Sequence, residues 1–167
     1  MNKKDNIVLI GMPGAGKSTI GVVLAKKIGY HFVDSDLVIQ KCEGRLLHEI
    51  IEQEGTERFL EIEGKINGSM WEKHAVIATG GSAVYSKEAM EHLGEIGTVV
   101  YLNLPYREIE ERLGNFNERG VVLKENQTLK QLFDERIILY EKYADVIIEC
   151  SKKSIRDIVI EISQEIV

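Results

Sequence analysis

The chain has 167 residues, of which 44% are hydrophobic and 29% are charged, and its formal net charge at pH 7 is −6. This length and composition are typical of a single globular domain that buries a core without disulfides or a structural metal. The negative charge argues against a protein that binds nucleic acid regardless of sequence, since such a protein needs a basic face, but it leaves room for one phosphate-binding cleft.

Short apolar runs alternate with amphipathic stretches along the chain. The predicted strands are, in chain order, Ile7–Ile10, His31–Val33, Ala75–Thr79, Thr98–Leu102 and Ala144–Glu149. The predicted helices are Lys17–Ile28, Asp36–Cys42, Leu46–Glu54, Thr56–Lys73, Ser86–Leu93, Pro105–Leu113, Thr128–Tyr143 and Ser154–Val167. Apolar strands that alternate with helices predict a three-layer α/β/α fold with a five-stranded parallel sheet. Ligands of such sheets bind at the carboxyl ends of the strands.

The loop after the first predicted strand, Gly11-Met12-Pro13-Gly14-Ala15-Gly16-Lys17-Ser18, matches the phosphate-binding pattern G-x-x-x-x-G-K-[ST]. Its glycines let backbone N–H groups point inward, and these donors form an anion site with the N-terminus of the next helix. Lys17 would reach the β- and γ-phosphates, and Ser18 would hold Mg²⁺. The alternative is a glycine-rich turn that binds nothing, which the flanking strand and helix argue against. We therefore predict that ATP and Mg²⁺ bind here, through Gly11, Gly14, Ala15, Gly16, Lys17, Ser18 and Thr19.

Two carboxylates, Asp34 and Asp36, end the second predicted strand. Side chains two residues apart on an extended segment face the same way, so both would face the phosphate loop. One would hold Mg²⁺ through water, and the other would orient or deprotonate an attacking hydroxyl. The alternative is that Asp34 or Ser35 only caps the following helix.

The turn Gly80-Gly81-Ser82 follows the third predicted strand. Adjacent glycines let a substrate approach backbone N–H groups closely. The alternative is a plain connection between a strand and a helix.

Arg119 lies in Gly114–Asn126, a polar stretch between two predicted helices whose length suits a lid. An arginine placed over the γ-phosphate by lid closure would stabilise the charge of the transition state. Arg112 and Arg136 are further candidate cations. The alternative for each arginine is a solvated surface charge.

The remaining features predict no further site. Cys42 and Cys150 are far apart, which predicts free thiols in a reducing compartment and no zinc site. The apolar segment near the N-terminus is too short for a signal peptide, and no run reaches the ~18–20 residues of a membrane span. We expect a cytoplasmic monomer with no membrane or nucleic-acid partner. We interpret the acidic stretch Glu49–Glu63 as a solvated helical face, and the larger apolar side chains as core: Phe59, Met70, Trp71 and Tyr101.

Taken together, these motifs resemble the shikimate kinase family over nearly the whole chain. The matching features are the phosphate loop, Asp34 and Asp36, Gly44 and Gly55 followed by Phe59 and Glu63, Gly80-Gly81, Val99–Leu102, Arg112, Arg119, and Arg136 with Tyr140. The resemblance implies a P-loop kinase of the nucleoside monophosphate kinase group, with residues 1–167 as one domain. It also implies a mobile lid at approximately 114–126 and a substrate-binding helical region at approximately 34–62.

The resemblance also implies roles for single residues. Asp36 would bind the substrate hydroxyls and is the candidate base, while Asp34 would act near Mg²⁺. Arg136 would bind the carboxylate of shikimate, and Arg119 would contact phosphate and substrate. Arg112 would lie against the adenine ring.

The chain departs from the family pattern in and around the substrate pocket. Leu60 stands where the family has a second arginine that clamps the carboxylate, and Arg58 is about 200° away around a helix. Ser82 replaces a third glycine, Gly120 replaces the proline after the lid arginine, and the adenine-loop proline is missing from Cys150–Ser154. Losing one charge-assisted contact of about 1.5–3 kcal/mol weakens binding roughly ten- to hundredfold.

The sequence thus predicts an ATP-dependent kinase for a small hydroxylated substrate, with shikimate as the leading candidate. The predicted catalytic residues are Lys17, Asp36 and Arg119, and the predicted substrate-binding residues are Asp36, Gly80, Gly81, Ser82 and Arg136. One alternative is a related kinase for another small polyol or hydroxy acid, its pocket reshaped by Leu60 and Ser82. An alternative of another class is a nucleotide-binding regulator without catalysis, which the intact catalytic set argues against.

Overall fold

The structure is a computed structural model, and it describes residues 4–114 and 123–166. Five strands, β1 to β5, span Asn6–Ile10, His31–Asp34, Ala75–Ala78, Gly97–Asn103 and Val146–Glu149. Helices α1 to α7 span Lys17–Ile28, Ser35–Glu43, Leu47–Gly68, Lys87–Ile96, Tyr106–Leu113, Leu129–Tyr143 and Ile155–Ile166. A 3₁₀ turn covers Ala83–Tyr85. The predicted elements are confirmed, with shifts of a few residues at their ends.

The strands form one parallel sheet in the order β2-β3-β1-β4-β5, which confirms the predicted sheet. Central β1 pairs with both neighbours, so Val8 lies between Ile77 and Val99. The chain moves in one direction across the sheet from β1 to β2 and in the other from β3 to β4. Because such crossovers are right-handed, α1 and α4 cover opposite faces of the sheet. The carboxyl ends of β1, β2 and β3 therefore lie side by side at one edge.

A second, smaller core lies between α2 and α3. It is formed by four buried side chains: Ile39, Ile50, Phe59 and Ile62. Gly55 interrupts α3 with φ 84° and ψ 166°, at the position where the sequence predicts a break. The helix resumes and ends at Gly68 rather than at Lys73. This small core fixes the face of α3 that the site uses.

Two expectations about single side chains are wrong. Trp71 is 78% exposed, since it lies in the connection after α3 rather than on a packed element. Glu63 belongs to the acidic stretch expected in solvent, yet only 1% of its surface is exposed. Phe59, Met70 and Tyr101 are buried, as expected. Within residues 4–114 and 123–166, no helix is both long and apolar enough to cross a membrane.

Candidate active site

The phosphate loop runs from the end of β1 to the start of α1. Gly11, Gly14 and Gly16 have φ values of 152°, 82° and 92°, which residues other than glycine rarely adopt. Among the described residues, no side chain caps the N-terminus of α1. The first N–H groups of this helix are therefore available to an anion, as the sequence predicts.

Lys17 begins α1 and is buried, with 8% of its surface exposed. Its ammonium donates hydrogen bonds to the carbonyl oxygens of Gly11 and Met12, at 2.7 and 2.8 Å. Burial lowers the pKa of Lys17 to about 8, although the nearby Asp36 opposes that shift. The ammonium group of Lys17 therefore lies within the phosphate loop, where it can contact a bound phosphate.

Asp34 joins the phosphate loop to α2. Its Oδ1 accepts a hydrogen bond from the backbone N–H of Asp36 at 3.0 Å, which caps α2, and its Oδ2 accepts one from Ser18 Oγ at 3.1 Å. The strand ends at Asp34, so Asp36 lies in the first helical turn and not on an extended segment. The predicted i, i+2 geometry is therefore wrong. The capping alternative is right for Asp34, which contacts the phosphate loop as well.

Asp36 faces the space next to the phosphate loop. The neighbouring Ser35 is buried, and its Oγ accepts a hydrogen bond from the N–H of Gly80 at 3.3 Å, which ties the start of α2 to the glycine turn. Burial raises the pKa of Asp36, and the charge of Asp34 raises it further, whereas Lys17 lowers it. Asp36 is therefore a more basic carboxylate than one in water.

The turn after β3 brings the backbone close to two carboxylates. A Cβ placed on Gly80 would lie 2.7 Å from Asp36 Oδ1 and 2.9 Å from Glu63 Oε2. Only glycine leaves both carboxylates in place at this point. Ser82 is buried and donates a hydrogen bond to Glu63 Oε1 at 2.7 Å.

Arg136, on α6, is buried with 1% of its surface exposed. Its Nε donates a hydrogen bond to the Tyr85 hydroxyl at 3.3 Å, and its guanidinium lies 5.3 Å from the centre of the Tyr85 ring. Tyr140, one turn further along α6, donates a hydrogen bond to the carbonyl of Gly81 at 2.6 Å and lies 3.8 Å from Met12 Sδ. The phenol therefore contacts the phosphate loop and the glycine turn together.

These groups surround one cavity of about 350 Å³. Its walls come from the phosphate loop, α2, α3, the glycine turn and α6: Pro13, Gly14, Gly16, Lys17, Ser18, Thr19, Asp36, Leu47, Phe59, Glu63, Thr79, Gly80, Gly81, Ser82 and Arg136. The fold thus brings together most of the residues that the sequence singles out for the nucleotide and for the substrate.

The other predicted site residues lie around this cavity or outside the described residues. Gly11 and Ala15 are buried within the phosphate loop. Arg112, at the end of α5, donates a hydrogen bond to the carbonyl of Gly14 at 3.2 Å. Arg119 and most of the predicted lid, residues 115–122, lie outside the described residues.

Glu63 lines the cavity, although its place in an acidic stretch predicts no role in the site. Its spacing contains the signal: Glu63 is four residues after Phe59 and one after Ile62, so it shares the buried face of α3. Leu60 packs against the same small core, and Arg58 points into solvent, where it pairs with Glu54 and Glu61. The predicted orientation of Arg58 is confirmed.

Burial gives Glu63 a measurable effect on stability. It raises the pKa of Glu63 from 4.5 to about 7, while the Ser82 hydroxyl opposes the shift. Below pH 4.5 the carboxyl is protonated whether the chain is folded or not. Between pH 4.5 and 7 only the unfolded chain loses the proton, so the charged form destabilises the fold by on the order of 3 kcal/mol above pH 7.

We therefore expect the free energy of unfolding of Glu63→Gln, relative to that of the wild type, to increase as the pH rises from 4 to 8. Urea titrations at several pH values measure this difference. Glu61→Gln is the matched control, because Glu61 lies on the same helix and is exposed. A difference that stays constant over this pH range would contradict the raised pKa.

The residues around Ser18 fit a magnesium ion. Mg²⁺ takes only one or two protein oxygens and fills its other positions with water and substrate phosphates. The Ser18 hydroxyl and the Asp34 carboxylate are neighbouring oxygen ligands of this kind. The described residues contain no group of three or more His, Cys, Asp and Glu that could hold a metal by themselves.

Comparison with known proteins gives consistent relatives. The family model described as shikimate kinase matches residues 13–167. The shikimate kinase of Persephonella marina is 37% identical over 158 residues, which cover 94% of this chain and 96% of the relative.

Solved structures agree with this result. Shikimate kinase from Acinetobacter baumannii in complex with shikimate is 35% identical, with a TM-score of 0.87 and coverage of 97% of this chain and 92% of the other. Shikimate kinase from Aquifex aeolicus is 32% identical, with a TM-score of 0.79 and coverage of 96% and 94%.

Proposed function

The chain belongs to the shikimate kinase family, and on this premise we propose that it transfers the γ-phosphoryl group of ATP to a hydroxyl of shikimate, giving ADP and shikimate 3-phosphate. Family membership makes the chain a phosphotransferase that acts on a hydroxyl group. The observation that carries the proposal is the single cavity that joins Lys17 and Ser18 to Asp36 and Arg136.

The phosphate loop would bind the triphosphate. Apart from the N–H of Ala15, which donates to the carbonyl of Met12, the backbone N–H groups of the loop and the uncapped start of α1 would supply neutral donors, and Lys17 would supply a positive charge. Ser18 and Asp34 would hold Mg²⁺. When bound there, this ion would supply positive charge that offsets the negative charge of the transferring phosphoryl group. Arg112 would lie over the nucleotide, since it already contacts the carbonyl of Gly14.

Asp36 would hold the attacking hydroxyl. It lies beside Lys17, and the Ser35–Gly80 hydrogen bond fixes the start of its helix. Its raised pKa favours proton acceptance when the hydroxyl oxygen attacks the γ-phosphorus. The proton would leave the hydroxyl for Asp36 as the new phosphorus–oxygen bond forms and the bond between the γ-phosphorus and the oxygen of the departing ADP breaks.

Arg136 would bind the carboxylate of the substrate. A buried guanidinium presents a planar pair of donors that matches a carboxylate, and here Tyr85 holds its orientation. The backbone N–H of Gly81 would contact the substrate next to it, and Gly80, whose N–H already donates to Ser35 Oγ, would line the same wall of the cavity. We retain Arg119 and the lid around it as a further part of the proposal: closure would exclude water and place Arg119 over the γ-phosphate.

A steady-state assay of purified protein with ATP, Mg²⁺ and shikimate tests the proposal. We expect saturable ADP release that depends on shikimate, with the new phosphate on its 3-hydroxyl by NMR. A lack of turnover at millimolar shikimate would contradict shikimate as substrate. Screening other small polyols and hydroxy acids would then test the alternative of a related kinase.

Leu60→Arg tests how the pocket compensates for the missing arginine. Leu60 lines a neighbouring hollow with Tyr85, whose hydroxyl accepts from Arg136, so the new guanidinium would approach the Arg136 end of the cavity. We expect the KM for shikimate to fall about tenfold, as a charge-assisted contact forms. Leu60→Met keeps the length without the charge and serves as control. An unchanged KM in Leu60→Arg would mean that the pocket has diverged more widely.

A further inference from the structure

Glu63 occupies an unusual position for a carboxyl group. It lies on α3, is 1% exposed, and projects into the cavity between Ser82 and Gly80. The Ser82 hydroxyl donates to its Oε1 at 2.7 Å, whereas its buried Oε2 has no hydrogen-bond partner among the described residues. A buried polar atom without a partner is costly, so a ligand that satisfies it gains affinity.

The groups around Glu63 define what it can bind. Asp36 faces it from α2 across Gly80, Lys17 faces it from α1, and Arg136 faces it from α6. The pKa of Glu63 is raised to about 7, and burial is the largest cause. The charge of Asp36 also raises this pKa, whereas Ser82, Arg136 and Lys17 lower it. Near neutral pH a substantial fraction of Glu63 is thus a neutral carboxylic acid. With Oε1 accepting from Ser82, the protonated Oε2 then donates into the cavity.

Leu60 and Arg58 bring no positive charge to the wall of the cavity that Glu63 forms. Leu60 lies one turn before Glu63 and packs into the small core, and Arg58 is directed away toward Glu54 and Glu61. Ser82, by contrast, adds a hydroxyl that fixes one face of Glu63. Glu63 and Ser82 together therefore supply a hydrogen-bonding group, and not a charge, at this wall of the cavity.

We propose that Glu63, oriented by Ser82, determines substrate specificity by binding the hydroxyl next to the one that Asp36 holds. The two carboxyl groups flank Gly80, so together they select acceptors with two neighbouring hydroxyl groups. This inference rests on the proposed function, since it assigns a second substrate contact within the same site.

Kinetics with shikimate and 4-deoxyshikimate, which lacks the hydroxyl beside position 3, test this contact. We expect Glu63→Leu to lower kcat/KM for shikimate about tenfold or more, mainly through a higher KM. The value of kcat/KM for 4-deoxyshikimate should change little in this variant. Glu63→Gln reproduces the neutral acid and should stay within about threefold of wild type at pH 7. Ser82→Gly should raise the KM for shikimate by less than Glu63→Leu does.

The pH profile gives a second readout that a purely structural role would not move. In the wild type, the KM for shikimate should rise above pH 7, because the ionised Glu63 no longer donates. In Glu63→Gln this rise should be missing, while the contributions of Asp36, Lys17 and Arg136 remain. The KM for ATP should stay the same in both proteins.

Two results would overturn the inference: equal losses with both compounds in Glu63→Leu, or the same pH profile in Glu63→Gln and wild type. Wild-type turnover of shikimate tests the proposed function separately. Its failure overturns both proposals, whereas normal turnover with equal losses overturns only the role of Glu63.

Discussion

Replacing Asp36 with alanine should reduce kcat with shikimate by at least about a hundredfold, because positioning and electrostatics supply nearly all of the catalysis in phosphoryl transfer. Asp36 is the carboxylate of α2 that lines the cavity next to Lys17. Its loss removes both the proton acceptor and the group that would hold the hydroxyl in line. ATP binding should remain, since Asp34 and the phosphate loop are untouched.

Steady-state kinetics and nucleotide titration of Asp36→Ala measure the two effects separately. Asp36→Asn keeps the shape and one acceptor oxygen, so it separates orientation from proton transfer. Asp134→Ala is the matched control, because Asp134 is an exposed aspartate on α6 that pairs with Lys130. Near-normal kcat in Asp36→Ala would remove Asp36 from the acceptor role.

Lys17→Ala should also reduce turnover by at least about a hundredfold, because it removes the only cation that the described part of the phosphate loop supplies to the transferring group. In contrast to Asp36→Ala, this variant should lose affinity for ATP as well as kcat. The carbonyl oxygen of Gly11 also loses a donor, while that of Met12 still accepts from the N–H of Ala15, so a small loss of stability is expected.

Nucleotide titration and kcat measure the effect of Lys17→Ala, and thermal unfolding shows whether the chain remains folded. Lys26→Ala is the control, since Lys26 is exposed on the same helix. A variant that is folded at the assay temperature and retains wild-type kcat would show that Lys17 does not act on the transferring phosphate.

The sheet could be predicted because its central strands are apolar on both faces. Residues of β1 and β3 are buried throughout, and that pattern is local to each segment. The phosphate loop is equally local, since eight consecutive residues carry its glycines, lysine and serine. Both features depend on short-range sequence and on few competing conformations.

The acceptor side of the site was predicted less well, because it depends on packing between distant segments. The two-residue spacing of Asp34 and Asp36 suggests an extended segment, but the cap formed by Asp34 starts a helix there. The charges around Glu63 predict a solvated acidic stretch, but Phe59 and Ile62 bury that face of α3. Its partner Ser82 comes from a turn nineteen residues away, and sequence spacing alone gives no measure of that contact.

The Tyr140 phenol has a consequence for how this site can change during evolution. The phenol donates to the Gly81 carbonyl and contacts Met12, and a Cβ on Gly81 would lie 2.6 Å from Pro13. The middle of the glycine turn is therefore packed against the phosphate loop, which would bind the phosphoryl donor. Substitutions there would disturb nucleotide handling for every acceptor. We therefore expect divergence toward new acceptors to occur at α3 and Ser82, on the opposite wall of the cavity.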